Sequence, residues 1–212
     1  MEQKSRIAIL GGSGRTGRFV VSELLQQKYP INLLLRTPDN FSLQHELIQI
    51  VRGDACDPDA IDTLLQGCHA VISTVGQRKA EPLVTARATE NIMRAMEKYK
   101  IRRYLLLSGL SIDTPFDKKG SQTLAATAWM KANFPRMHED WQKAYSILAI
   151  CDLDWTLLRV PWIEFTDSKN KVEISLEDCR GASITAGDIA DFLTQQLSDG
   201  QYVKQSPFIA NS

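Results

Sequence analysis

The most restrictive feature of this sequence is a cluster of glycines close to its start. Ile7-Ala8-Ile9-Leu10 runs directly into Gly11-Gly12-Ser13-Gly14-Arg15-Thr16-Gly17, and Arg18-Phe19-Val20-Val21 follows. The aliphatic run reads as a buried strand within Arg6–Leu10, and the stretch from Thr16 to about Gln27 reads as a helix. Gly11, Gly14 and Gly17 fall between them in a G-x-x-G-x-x-G spacing. Gly11 permits a tight exit from the strand, Gly14 lets the backbone approach a diphosphate, and Gly17 lets the helix pack closely on the sheet. Amides at the helix start face the anion, and the helix dipole adds to the attraction. Ser13, Arg15 and Thr16 add side-chain donors. Such a pattern also occurs in purely structural turns. Its place between an aliphatic strand and a helix favours a dinucleotide site.

The same strand–helix rhythm continues through all 212 residues. Ile31–Leu35, Ile48–Val51, Ala70–Thr74, Tyr104–Leu107 and Trp155–Val160 read as further strands. Pro82–Lys98 reads as a helix with Val84, Ala88, Ile92 and Ala95 on one stripe, and Pro135 opens another that runs to about Ile150. Thr185-Ala186-Gly187-Asp188 fits a Ser/Thr-x-x-Asp capping box ahead of Ile189–Leu197. Nearly all-aliphatic strands imply burial on both faces. The expected fold is therefore α/β: a Rossmann-like, doubly wound, mostly parallel sheet with helices on both faces, in a single domain over 1–212. Asp113 to about Asn133 is polar and reads as irregular. Residues 111–134 and 161–183 are expected to form a small substrate or lid region.

Charge narrows the partners. Lys+Arg and Asp+Glu are equal at 25 each, so no bulk basic charge draws the chain to nucleic acid or an acidic membrane. No apolar run is long enough to span a bilayer, and the first residues lack the pattern of a secretory signal. Cys56, Cys68, Cys151 and Cys179 are scattered, and so are His45, His69 and His138. A cytoplasmic protein with reduced thiols and no metal site is expected, as a monomer or small homo-oligomer acting on a small molecule.

The end of the second strand bears on which dinucleotide fits. Sites for NAD(H) usually place an acid there against the ribose 2′-hydroxyl, whereas an arginine pairs with a 2′-phosphate. Here Leu33-Leu34-Leu35 is followed by Arg36. NADP(H) is thus expected over NAD(H), with Arg15 a second candidate for the phosphate. The alternative for Arg36 is an ordinary solvated strand-end charge. Asp54, after Gly53 at the end of the third strand, meets the adenine amino group or serves only the turn.

Taken with Val71–Gly76, Leu107-Ser108-Gly109, Leu153–Pro161 and Ile184–Phe192, these motifs resemble the atypical short-chain dehydrogenase/reductases. The resemblance is to the branch holding NmrA-like proteins and the biliverdin reductase B / flavin reductase family, and it covers nearly the whole chain. Asp152-Leu153-Asp154-Trp155-Thr156-Leu157-Leu158-Arg159-Val160-Pro161 is the stretch more specific to that branch. The resemblance implies NADP(H) held with Thr74, Val75 and Gly76 alongside the glycine turn, and the nicotinamide beside the strand that carries Ser108. It implies hydride transfer to flavins, quinone-like acceptors or linear tetrapyrroles. Other relatives bind the nucleotide as redox sensors without turnover.

The Tyr-x-x-x-Lys dyad of most such enzymes is missing. Counting back from Leu153 against the family pattern, its positions fall near Met137 and Trp141, neither of which transfers a proton. Candidate residues for chemistry are Ser108, which hydrogen-bonds nicotinamide or substrate unless it only satisfies local backbone, and His138 and Tyr145. The last two share a helix face with Trp141. A polar cluster and an aromatic face packed on the sheet both fit that trio, and packing is the favoured reading for Trp141. Trp162 and Phe165 wall a flat pocket or belong to the core. Two functions remain: an NADPH-dependent reductase of a planar, conjugated acceptor, favoured by the resemblance, and a non-catalytic NADP(H)-binding regulator.

Overall fold

The computed structural model describes residues 4–77 and 81–212. Ile7–Leu10 (β1) is buried along its whole length and alternates its side chains between two cores. Ile7 and Ile9 face one layer, with Val20 and Leu24 of helix α1 (Gly17–Gln26) and Ile189 and Leu193 of helix α6 (Ala186–Gln195). Ala8 and Leu10 face the opposite layer, built from α2 (Pro58–Leu65), α3 (Thr85–Tyr99) and α5 (Pro135–Ala149). The two-residue period of a strand thus assigns each side chain to a layer.

One eight-stranded sheet runs through the molecule. It uses β2 (Ile31–Leu35), β3 (Ile48–Arg52), β4 (Ala70–Ser73), β5 (Arg103–Gly109), β6 (Asp154–Val160), β8 (Val172–Ser175) and β10 (Phe208–Asn211) beside β1. The order is β3-β2-β1-β4-β5-β6-β10-β8, parallel except where β8 pairs antiparallel with β10. The chain therefore reverses its direction of travel across the sheet between β1 and β4, where open α/β sheets collect ligands. A second, two-stranded parallel sheet joins β7 (Trp162–Glu164) to β9 (Ser183–Thr185). Among the described residues no helix is long and apolar enough to cross a membrane.

Three expectations need correction. Residues 113–133 are not irregular throughout: Ser121–Asn133 is a helix, α4. Only Thr123 and Thr127 of that helix are buried, so it carries no apolar stripe to reveal it. Helix α3 begins at Thr85, not at Pro82. Its start is fixed from outside, by Asp140 of α5, whose carboxylate accepts from the amides of Thr85 (2.8 Å) and Ala86 (3.3 Å). Helix α6 begins at Ala186, with Thr185 as its N-cap accepting from the Asp188 amide at 3.1 Å. The Asp188 carboxylate does not return to the Thr185 amide, as a capping box would have it. Thr185 N donates to Asn211 Oδ1, while Asp188 takes Asn170 N and Asn211 Nδ2. That departure ties α6 to the last strand.

Candidate active site

The glycine turn is shaped by what it packs against. Gly11 has φ 77°, a left-handed conformation that only glycine adopts without strain, and a methyl there would lie 2.8 Å from the Thr74 carbonyl. A methyl on Gly17 would collide with the carbonyl of Gly11. Thr74 locks the turn to the end of β4 by donating to Leu10 O from its amide (3.0 Å) and its hydroxyl (3.2 Å). Gly14 N donates to Gly11 O at 2.8 Å, closing the turn on itself. Thr16 is the N-cap of α1, and its hydroxyl makes no capping bond. At the start of α1 the Arg18 and Phe19 amides donate to Gly14 O (3.2 Å) and Thr16 O (3.0 Å), and the helix contributes the positive end of its dipole. Gly12, to which the sequence reading gave no task, is pinned between Leu33 and Val21.

Beside that turn lies a cavity of about 460 Å³ at the carboxyl ends of β4 and β5. Arg15 and Thr16 form one wall; Thr74, Val75, Gly76, Ser108 and Gly109 supply the floor. Trp141 closes it from α5, with its ring 2.9 Å from where a methyl on Gly109 would stand. Trp129 and Met130 arrive from α4, and Trp162 and Phe165 from the segment after β6. The Arg15 guanidinium lies 4.6 Å above the Phe165 ring, a cation–π contact across the mouth. Arg15 is the one ionisable side chain among the described lining residues. Ser108 is buried at the floor, and its hydroxyl has no hydrogen-bond partner among the described residues. Such a group carries an uncompensated desolvation cost unless a ligand meets it.

The sequence candidates separate in space. Arg15, Thr16, Thr74, Val75, Gly76 and Ser108 share the cavity. Tyr145 does not line it: the ring is buried edge-on against Trp155 at 6.2 Å, and burial pushes the phenol pKa up. His138 is also buried and does not line it. Its Nδ1 is 3.4 Å from the hydroxyl of Ser111, which does, and burial pulls its pKa down, with Lys131 adding to the effect. Trp141, read from sequence as packing, is the member of the trio that reaches the cavity.

Arg36 and Asp54 stand outside the cavity at the ends of β2 and β3. Arg36 is held by Glu81, which raises the guanidinium pKa. Asp54 accepts from Cys56 N at 2.7 Å, a turn interaction.

One residue that sequence reading missed organises the segment that follows β5. Arg159 in β6 is fully buried, yet its guanidinium donates to Ser206 O (2.9 and 2.7 Å), to Ile112 O (3.0 Å) and to both oxygens of Asp117 (2.7 and 2.9 Å). It also lies 3.5 Å from the centre of the Phe208 ring. Lys119, with 3% of its side chain exposed, bonds Asp113 (2.7 Å) and the carbonyl of Ile112 (3.0 Å). These contacts clamp the segment between β5 and α4, including Ser111 at the cavity wall, onto β6 and β10.

Residues 11–200 match the NAD(P)H-binding family. The photosystem II assembly factor Ycf39 of Synechocystis is 28% identical over 109 residues, 49% of this chain and 33% of Ycf39. Vestitone reductase of Medicago sativa is 22% identical over 165 residues, 69% of this chain and 50% of that enzyme. The chain thus spans half or less of the length of these curated relatives. A short-chain dehydrogenase/reductase of Veillonella parvula in complex with NADP superposes with a TM-score of 0.81 at 18% identity, covering 98% of this chain and 94% of that one. ChuY, an anaerobillin reductase of Escherichia coli O157:H7, gives 0.80 at 19% identity, covering 98% and 97%. Likeness at such low identity speaks for the fold. With the parallel sheet, the glycine turn at its switch point and a family match over most of its length, this chain belongs to the NAD(P)H-binding family and has a Rossmann-like fold.

Proposed function

We propose that the protein is an NADPH-dependent reductase of a flat, conjugated acceptor such as a flavin, a quinone or a linear tetrapyrrole. The observation that carries this reading is the unpartnered, buried hydroxyl of Ser108 on the floor of an aromatic-walled cavity beside the glycine turn. The residues fit the dinucleotide. The turn of Gly11, Gly14 and Gly17, with the positive end of α1 and Thr16, would hold a diphosphate, Arg36 a ribose 2′-phosphate, and Thr74, Val75, Gly76 and Ser108 the nicotinamide end. When bound, the reduced nicotinamide supplies the hydride.

The chain's own residues do the positioning. Trp129, Trp141 and Trp162 line the cavity and offer indoles for a planar acceptor to stack against. Ser108 can donate to a carbonyl or ring nitrogen. With Arg15 the one ionisable lining residue described, nothing there serves as a general acid. Acceptors whose reduced forms take their proton from solvent suit such a site, whereas simple ketones do not. Proteins named as reductases among those this chain is similar to, vestitone reductase and ChuY, agree with this reading. The regulator reading draws on that same lack of an acid and on the relative named as an assembly factor.

Steady-state NADPH oxidation with a panel of flavins, quinones and linear tetrapyrroles decides between them. At least one planar acceptor should drive oxidation well above background, and Ser108→Ala should lower that rate. Tight nucleotide binding with no acceptor above background would transfer the site to the regulator reading. Failure to bind either dinucleotide would remove both.

A further inference from the structure

Arg36 stands directly after β2, and Glu81 approaches it from the connection between β4 and α3. The two meet fork to fork: Nη1 lies 2.7 Å from Oε2 and Nη2 3.3 Å from Oε1. Asp54 is farther, at 3.8 Å. The backbone that carries Glu81 is itself braced, since Gln77 Nε2 donates to the carbonyls of Glu81 (2.8 Å) and Pro82 (3.2 Å). The carboxylate is therefore held in place against the guanidinium by more than its own flexible stem.

We propose that Glu81 is a specificity-determining residue, setting the preference between the 2′-phosphorylated and the unphosphorylated dinucleotide by competing for Arg36. The inference rests on Arg36 being the contact for the 2′-phosphate. A guanidinium edge engages one bidentate anion at a time in this geometry. A phosphate that takes that edge must displace Glu81, and it then sits beside two carboxylates, Glu81 and Asp54. A ribose 2′-hydroxyl meets no such conflict, because it donates to Glu81 while the pair stays closed. The arginine that selects NADPH and the acid that suits NADH are thus both present. Their contest, not Arg36 alone, fixes the selectivity. Arg36 and Glu81 each have 39% of the side chain exposed, so salt weakens the competition.

Calorimetric titration with adenosine 2′,5′-bisphosphate and with 5′-AMP isolates this subsite from the nicotinamide and from turnover. Glu81→Gln should tighten the bisphosphate about tenfold at low salt, the scale of one like-charge contact in partly exposed surroundings. It should leave 5′-AMP near the parent value, and the gain should shrink as salt rises. Arg36→Ala should weaken the bisphosphate and spare 5′-AMP. If Glu81→Gln fails to tighten the bisphosphate while Arg36→Ala still weakens it, Glu81 is no competitor and the reading of Arg36 survives. If Arg36→Ala leaves the bisphosphate untouched, Arg36 does not read the 2′ position and both ideas fall.

Discussion

Replacing Asp117 by Asn tests how the segment between β5 and α4, which carries Ser111 to the cavity, is held. The Arg159 guanidinium is fully buried and the Asp117 side chain is 9% exposed, so water does little to screen the pair. Burial pulls the Arg159 pKa down, and Asp117 opposes that pull. Removing one partner of a buried pair costs about 3–5 kcal/mol, because the other charge stays desolvated and uncompensated. Two features place this site within that range. The carbonyls of Ser206 and Ile112 and the Phe208 face still receive the guanidinium, which moderates the loss. Lys119 lies 3.6 Å from the same carboxylate with 3% of its side chain exposed, so a second buried cation is weakened too. About 4 kcal/mol follows. For a chain of this size that lowers the thermal midpoint by roughly 8–16 °C. Urea unfolding of parent and Asp117→Asn reads the free energy directly. The double change Arg159→Met with Asp117→Leu should cost less than Asp117→Asn alone, since it leaves no arginine charge behind. A loss under about 1 kcal/mol for Asp117→Asn would refute the reasoning.

Two further measurements probe elements the site depends on. Asp140→Ala should destabilise the protein by about 1–2 kcal/mol in urea unfolding, because the Thr85 and Ala86 amides lose their shared acceptor at the positive end of α3. Asp140→Asn should lose less, as its amide oxygen still accepts one bond. His138 should make stability depend on pH. Its folded pKa is depressed by burial, so the unfolded chain takes up the proton first as pH falls. Its contribution is then whole above about pH 6.5, the ordinary histidine value, and lost as pH drops through the folded pKa. Unfolding midpoints followed downward from neutral pH should decline in the parent and decline less in His138→Gln. Parallel curves would assign the decline to other groups.

How far the sequence could be read depended on whether a structural role leaves a local pattern. Strands β1, β2 and β4 are buried along their whole length, so their aliphatic runs announced both their state and the layers around them. The glycine turn was legible because its chemistry is confined to seven consecutive residues, Gly11 to Gly17. Helix α4 was not, since it buries two threonines while Leu124 and Trp129 stay more than half exposed. Strands β7, β8 and β9 are short and only partly buried, so no alternation develops. Arg159 is as buried as the rest of β6 beyond Asp154, and its partner Asp117 lies 42 positions earlier in a polar loop. Nothing local links the two.

The misplacement of Trp141 and Tyr145 has a geometric cause that also bears on chemistry. Both occupy one face of α5, four residues apart, and sequence periodicity treats such neighbours as equivalent. Four residues advance a helix by roughly 6 Å along its axis. Helix α5 returns antiparallel to the strands it connects, so its N-terminal half lies level with their carboxyl ends. His138 and Trp141 accordingly meet Ser111 and Gly109, just past and at the end of β5, while Tyr145 meets Trp155 near the start of β6. A face tells which side of a helix is buried; depth along the axis decides what it is buried against. At the depth where the cavity lies, the helix offers an indole, which stacks and does not exchange protons. Under the proposed function, reduction then depends on how Trp141 and Ser108 hold the acceptor, and Trp141→Ala should impair turnover even though no proton-transfer group is lost.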